Sequence, residues 1–219
     1  MGGHAAGALT RSRIVHGDLP AIGPVDVRGP IRTSRLVLRP FAPDDLVAVD
    51  AYATSPGARG HLAGTPTGAR PDAARLLADR LGWTRLAAVG DRLALAVELP
   101  AQGPRPAHVV GEAHARLREP AARQAELGVV LHEDVRGAGL AGEAADRILE
   151  LLFEEAGVHR VTARVDARDA AALALATRLG MRREALLVHD RWVEGAWADT
   201  VVVALLDVEW AARTSLDGL

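Results

Sequence analysis

The chain has 219 residues, which at roughly 150 residues per domain suits one domain with extra arms better than two full ones. Its 26 Lys+Arg, every one an Arg, stand against 28 Asp+Glu. The formal charge of −2 gives none of the positive field that duplex nucleic acid or an anionic membrane surface demands, so neither partner is expected. Cys is absent, which excludes disulfides and thiolate chemistry, and the 8 His form no H-x-x-x-H or H-x-x-E-H helix pattern, so no metal site is expected.

No apolar stretch reaches the roughly 18 residues of a membrane span. The opening MGGHAAGALTRSR has its first Arg after its weakly apolar piece, the reverse of a secretory signal, so a cytoplasmic protein is expected. Residues 1–30 carry Gly and Pro repeatedly without periodicity and read as a flexible arm. Residues 33–41 (TSRLVLRPF) alternate as a short strand, and Pro43-Asp44-Asp45 opens a helix through Ala53 with acids in its first turn. Gly, Pro and Thr fill 55–71, a long loop of the kind that borders a substrate. Pro71-Asp72 starts a second helix, with Ala74, Leu77, Ala78 and Leu81 at helical spacing.

Strands over 93–99 and 107–117 flank a Pro/Gly-rich turn and form a hairpin, and 125–131 (AELGVVL) is a fourth strand. Ala141, Ala144, Ala145, Ile148, Leu151 and Leu152 then make one stripe of a helix over 140–156, stopped by Gly157. A fifth strand over 158–165, a helix over 169–179 closed by Gly180, and a hairpin of 185–193 with 197–208 turning at Glu194-Gly195 complete the order β-α-α-β-β-β-α-β-α-β-β. This is an α/β (α+β) domain over 31–212 with a short tail, 213–219. No repeat or heptad appears, which excludes solenoids and coiled coils.

The segment with the most chemistry is Arg136-Gly137-Ala138-Gly139-Leu140-Ala141, between a strand and an amphipathic helix. Its small residues let backbone approach a ligand, and the helix start offers unpaired N–H groups and the positive dipole end to a phosphate; the same composition also serves a plain tight turn. The loop lacks both the G-x-x-x-x-G-K-[ST] of a P-loop and the G-x-G-x-x-G of a dinucleotide fold, so a phosphate carrier of another type is the expected ligand.

The run ELGVVLHEDVRGAGLA from Glu126 to Ala141 resembles the acetyl-CoA motif of the GNAT superfamily, whose loop reads Arg/Gln-x-x-Gly-x-Gly/Ala; Arg136, Gly139 and Ala141 fit it. Asp169-Ala170-Ala171-Ala172, followed by Leu179-Gly180-Met181, is similar to that superfamily's second CoA-contacting segment. The front motif TSRLVLRPF, together with Gly195-Ala196-Trp197-Ala198-Asp199 and Glu209-Trp210 at the end, resembles the RimJ/RimL-type group that acetylates N-terminal residues of ribosomal proteins.

The resemblance implies a mixed, mostly antiparallel sheet, flanked by helices and splayed between its fourth and fifth strands to admit acetyl-pantetheine. It implies that backbone groups of Val129 and Leu131 bind pantetheine and the thioester carbonyl, that N–H groups of Arg136, Gly137, Ala138, Gly139, Leu140 and Ala141 take the pyrophosphate, and that Asp169 and Ala172 flank the thiol end. Acetyl-CoA is then the acyl donor and a primary amine, a protein N-terminus by preference, the acceptor, in a monomer or homodimer. Two departures stand out: Asp169 and Ala172 replace the common Asn and Ser, and Val203 replaces a common Tyr, so the usual acids for the leaving thiolate are missing. A CoA thiol, near the roughly 8.5 of cysteine, can take its proton from water.

Glu126 is the candidate base, since an acid often occupies this strand position in the resembling family; a solvated strand charge is the competing reading. His132 and Asp134 suit turn capping. His189-Asp190-Arg191 suits either an acceptor-facing cluster or plain strand surface, and Trp192 and Trp197 suit packing or rim contacts. Tyr52 receives no role. Three alternatives share the CoA residues: a small-molecule amine acetyltransferase, an acyltransferase using a longer chain, and a CoA-binding module without turnover.

Overall fold

Ten strands and five helices occupy the described residues (22–55, 58, 71–118, 123–193 and 195–217) of a computed structural model of the chain. The short β1 (Val25–Asp26) and β4 (Arg85–Leu86) pair with each other. The main sheet runs β2 (Ile31–Arg32), β3 (Val37–Arg39), β5 (Arg92–Leu99), β6 (His108–Arg118), β7 (Gln124–Leu131), β8 (Arg160–Asp166), β10 (Ala196–Leu206), β9 (Arg182–Val193). Helices α1 (Leu46–Thr54) and α2 (Ala73–Leu81) precede β4, α3 (Leu140–Glu150) joins β7 to β8, α4 (Ala170–Arg178) joins β8 to β9, and α5 (Asp207–Asp217) follows β10.

Side-chain alternation sorts the two faces of this sheet. Ala113, Ala115, Leu127 and Leu131 turn toward α3 and pack with Ile148 and Leu152. Ala94, Ala96 and Val130 turn the other way, against Val49 and Tyr52 of α1 and Leu76 and Leu77 of α2. This second side also encloses a charge. Glu112 and Arg80 are both fully buried; Arg80 Nε donates to Glu112 Oε2 at 2.8 Å and Nη2 to Oε1 at 2.9 Å, and Tyr52 Oη adds a bond to Oε2 at 2.9 Å. Ala96 and Ala94, directly across from Glu112 and His114 on β5, are small and leave room for these larger side chains. Burial alone would raise the Glu112 pKa, but the hydrogen bonds and charges of His114 and Arg80 outweigh it and hold the carboxyl at about 2.

Every pairing in the main sheet is antiparallel except β7 with β8, whose common direction follows from the α3 crossover between them. The two strands pair only at Gln124↔Arg160, Ala125↔Val161 and Glu126↔Thr162. From there β8 stays with β10 as far as Asp166↔Thr200, while residues 127–131 stay with β6. The sheet therefore opens between the fourth and fifth strands of the order read from sequence, as the resemblance implied.

Several boundaries differ from that reading. Residues 1–21 of the expected arm, and most of the expected loop over 55–71, lie outside the described residues. Residues 22–30, expected in the arm, instead carry β1 and bury Val25 and Val27. The strand expected over 33–41 shortens to β3, because Thr33 N–H bonds the Leu36 carbonyl in a turn. The helix over 140–156 widens after Glu150 into a π turn in which Ala156 N–H reaches the Leu151 carbonyl at 2.9 Å. The last strand ends at Leu206 rather than Val208. Asp207 Oδ1 accepts from the Val208 N–H and Glu209 Oε2 from the Leu206 N–H, each at 2.8 Å, which starts α5. That helix stacks Trp210 on Phe153, ring centroids 5.7 Å apart, and takes residues 213–217 of the expected tail into its last turns.

Removing one partner of a buried ion pair leaves a charge without compensation. Arg80→Met is expected to lose about 3–5 kcal/mol of unfolding free energy in a urea titration. The double variant Arg80→Met/Glu112→Leu, which leaves no charge behind, is expected to recover much of that loss.

Candidate functional site

The open edge of β7 is the first component. His132 N–H bonds the Val110 carbonyl on β6 at 2.8 Å, whereas the Ala125 carbonyl faces β8 and accepts from Thr162 Oγ1 at 3.3 Å. Backbone groups alternate sides along a strand, so those of Leu127, Val129 and Leu131 turn toward β8 at the stretch where β8 has left. The Leu131 carbonyl is taken by Arg136, whose Nε and Nη2 lie 3.2 and 3.1 Å away. Arg136 thus folds its own loop back onto the strand, and the Leu131 N–H and both groups of Val129 keep their aim into the opening.

The loop leading into α3 is the second component. Gly137 (φ +79°) and Gly139 (φ +78°) adopt the left-handed backbone that a side chain would strain, and Gly139 is the N-cap of α3. The helix starts at Leu140, so its first N–H groups have no intrahelical acceptor and converge on the groove between β7 and α4.

A brace that the sequence reading did not find holds this loop. Glu143, in the first turn of α3, accepts from Thr33 Oγ1 (2.5 Å), Ser34 Oγ (3.0 Å) and Arg35 N–H (2.7 Å) through Oε1, and from Arg35 Nε (2.7 Å) through Oε2. Arg35 Nη1 then donates to the Ala138 carbonyl at 2.7 Å. Burial opposes ionisation of Glu143, yet the bonds from Thr33, Arg35 and Ser34 prevail and hold its pKa at about 2. The front motif Thr33-Ser34-Arg35 therefore fixes the loop's outer carbonyl and masks an acid that would otherwise repel an anion.

Asp169 and Ala172 stand on the far bank. Asp169 is the N-cap of α4, its Oδ1 accepting from the Ala172 N–H at 2.9 Å, and both residues line the groove with Val129, Gly139 and Ala141. The carboxylate is committed to the helix start, which explains an acid at this position in structural terms. His132 acts as expected, its side chain accepting from the Asp134 N–H at 3.3 Å.

Glu126 sits at the last rung before the strands part, and its Oε2 lies 3.1 Å from Arg118 Nη1. Register places Arg92, Arg116 and Glu126 side by side on one face of β5, β6 and β7, and Arg164 on the same face of β8. On β9, Asp190 pairs with Arg164, while Arg191 Nε donates to Thr200 Oγ1 at 3.1 Å. Glu126, His114, Gly128, Arg164 and Arg191 line one pocket that meets the loop groove at Val129 and Ala172. The Trp192 and Trp197 rings meet edge to face, 5.4 Å apart, as exposed residues of the β9–β10 hairpin. Tyr52, Arg80, Glu112 and His114 were not assigned from sequence. Their signal was two polar residues alternating with Gly111, Ala113 and Ala115 in a strand otherwise too small-sided to be exposed.

Among the described residues no group of His, Asp and Glu could hold a metal ion, and no helix is long and apolar enough to cross a membrane. A model of the acetyltransferase (GNAT) domain family matches residues 35–182. Over 85 residues the chain is 32% identical to the uncharacterized N-acetyltransferase YnaD of Bacillus subtilis (strain 168), a match covering 39% of this chain and 50% of that protein, so it spans half the relative's length. A crystal structure from T. thermophilus, described as that of an acetyltransferase, superposes with a TM-score of 0.66 at 26% identity, over 87% of this chain and 96% of that one. The spermidine N-acetyltransferase of Vibrio cholerae, solved in complex with CoA and spermine, shares the fold at 17% identity and a TM-score of 0.64, over 82% and 99% of the two chains.

Arg35→Ala frees the Ala138 carbonyl and bares Glu143 beside the loop, and is expected to raise the Kd for acetyl-CoA about tenfold, or ~1.4 kcal/mol, by calorimetry. Glu143 ionises at about 2 in the fold against an ordinary 4.5. A lowered folded pKa gives stability that is complete above the ordinary value and is lost as pH falls toward the folded one. Glu143→Gln is accordingly expected to flatten part of the acid limb of the melting-temperature profile between those two values.

Proposed function

Because the chain belongs to the GNAT acetyltransferase family, we propose that it transfers an acetyl group from acetyl-CoA to a primary amine by direct attack in a ternary complex. The observation that carries this reading is the parted edge of β7, with the glycine loop at one end and Glu126 at the other. In this reading the N–H groups of the 136–141 loop receive the pyrophosphate, and charge-assisted bonds of about 1.5–3 kcal/mol each make up for the absence of Lys. The Val129 backbone and the Leu131 N–H hold pantetheine and polarise the thioester carbonyl, a preorganised donor set for the developing oxyanion. Asp169 and Ala172 border the thiol end. Glu126 meets the attacking amine, directly or through water.

Neither position of the usual acid offers a proton. Val203 is buried against the α3 side, opposite Ala163, and Ala172 has no proton to give. The thiolate leaves to solvent and takes its proton there, which a leaving group near 8.5 allows.

The acceptor is read from the arginines. Arg164 and Arg191 line the pocket, and Arg92 and Arg116 stand beyond it on the same face of the sheet, whereas the acids among them, Glu126 and Asp190, are each paired with an arginine. Such a mouth repels a polycation and suits an α-amine followed by peptide carbonyls or a carboxylate. An α-amine of pKa about 7.7–8.0 is also about a tenth neutral at pH 7, against less than a thousandth for a lysine amine near 10.4. A protein N-terminus, as in the RimJ/RimL-type group that the front and end motifs resemble, is thus the favoured acceptor.

The test is thiol release from acetyl-CoA, followed with an Ellman-type reagent on a protein whose own Cys count is 0. Peptides with free Ala or Ser N-termini are expected to exceed spermidine in kcat/KM by at least tenfold, and Glu126→Gln to lower the rate about tenfold or more. Acetyl-CoA binding with no release for any amine would replace this reading with that of a binding module.

A further inference from the structure

Glu112 and His114 stand on the face of β6 that looks toward α1 and α2, one strand away from the open edge. Glu112 is fully buried, and Arg80 and Tyr52 together occupy both of its oxygens. His114 Nδ1 lies 3.1 Å from Glu112 Oε1, within ion-pair reach though off the line of a straight bond. An ionised carboxylate can only accept, so in the neutral imidazole the ring nitrogen beside it carries the hydrogen and Nε2 the lone pair.

The ring is packed over Gly128. His114 is directly across from Gly128 on β7, and a Cβ there would stand 2.3 Å from Nε2. The ring fills the room that a side chain would take, and His114 and Gly128 line the pocket shared with Glu126. Gly128 immediately precedes Val129, whose backbone faces the opening. The charged and titratable groups around the ring are Glu112 and Arg116 on its own strand, Tyr52 from α1, Arg80 from α2, Glu126 from β7, Arg92 from β5 beside the Ala94 directly opposite, and Arg164 and Arg191 across the pocket from β8 and β9.

We propose that His114, oriented by the buried Glu112–Arg80–Tyr52 cluster, is the base that takes the proton from the attacking amine, while Glu126 draws the amine in. This rests on the amine-acetylation reading above. The amine lone pair forms the C–N bond at the thioester carbonyl carbon and the C=O pair moves to oxygen. As that pair returns, the C–S bond breaks and the CoA thiolate leaves. The proton released from nitrogen passes to Nε2, forming an imidazolium beside Glu112, and goes from there to solvent, while the thiolate takes a proton from water. Imidazole, near 6.5 when free, is a better match to neutral pH than a carboxylate near 4.3. Alignment of the Nδ1–H with Oε1 is expected to improve once substrate is bound, as is common for catalytic hydrogen bonds.

His114→Gln keeps a polar group of similar size, and its fold is checked by circular dichroism and by an acetyl-CoA Kd within twofold of wild type. In His114→Gln the rising limb of the wild-type kcat/KM–pH profile is expected to disappear, the rate to drop about a hundredfold, and added imidazole to restore part of it. A folded His114→Gln with unchanged pH profile and rate overturns the proposal while leaving amine acetylation intact. Nitrogen-15 spectra decide independently of any acceptor. The His114 ring, assigned by its absence in His114→Gln, is expected in the Nδ1–H form with signals that shift on adding acetyl-CoA. An Nε2–H ring, or signals that acetyl-CoA leaves unmoved, overturns the assignment even if no amine is turned over.

Discussion

Backbone N–H and C=O groups that face a protein interior need partners, and residues 127–131 of β7 have a strand partner on the β6 side only, with Arg136 taking the Leu131 carbonyl on the other. Parallel strands joined by a crossover helix ordinarily continue side by side, but β8 is bound along its whole length to β10, which carries it away after Glu126 and Thr162. On the proposed reading, the pantetheine arm, with its own amides, lies in the gap this leaves as a third strand would. The positions of the loop, of α4 and of the pocket beyond Glu126 all follow from where the two strands separate.

The second governing theme is how negative charge is handled in a site built for an anion. Glu143 sits in the very turn whose N–H groups face the loop groove, and Asp166 ends the strand across it. Each is held ionised at about 2, Glu143 by the Thr33-Ser34-Arg35 segment despite its burial, and Asp166 chiefly by hydrogen bonds from the Arg168 side chain. Ionised but fully engaged carboxylates present little field to a neighbour. The loop consequently keeps the positive end of the α3 dipole for its ligand.

Much of this was legible in the sequence. The glycines at 137 and 139, the stripe of α3 and the succession of β7, α3, β8, α4, β9 and β10 obey short-range rules of backbone freedom and periodicity, and each holds in the fold, whereas β1, β2, β4 and α5 went unread. What escaped was nonlocal. The brace joins Arg35 to Ala138 and Glu143, and the buried cluster joins Tyr52 and Arg80 to Glu112, and no pattern within a window of residues reveals such partners. The end of β10 escaped for a different reason. Val208 continues the apolar run of the strand, and only the capping bonds of Asp207 and Glu209 divert the backbone into a helix. Asp169, which lines the groove, also caps α4, since an Asp side chain favours the nearest unpaired N–H groups.

The brace between Arg35 and the glycine loop spans more than a hundred positions of the chain. Contacts this distant in sequence carry a large loop-closure entropy and form late, after the local elements they connect. During synthesis β7, the loop and α3 can all be present with their own hydrogen bonds while the loop's outer carbonyl still lacks its clamp, until the segment before β3 docks on the finished helix. On the proposed reading, the loop's grip on a pyrophosphate is in this way tied to completion of the fold.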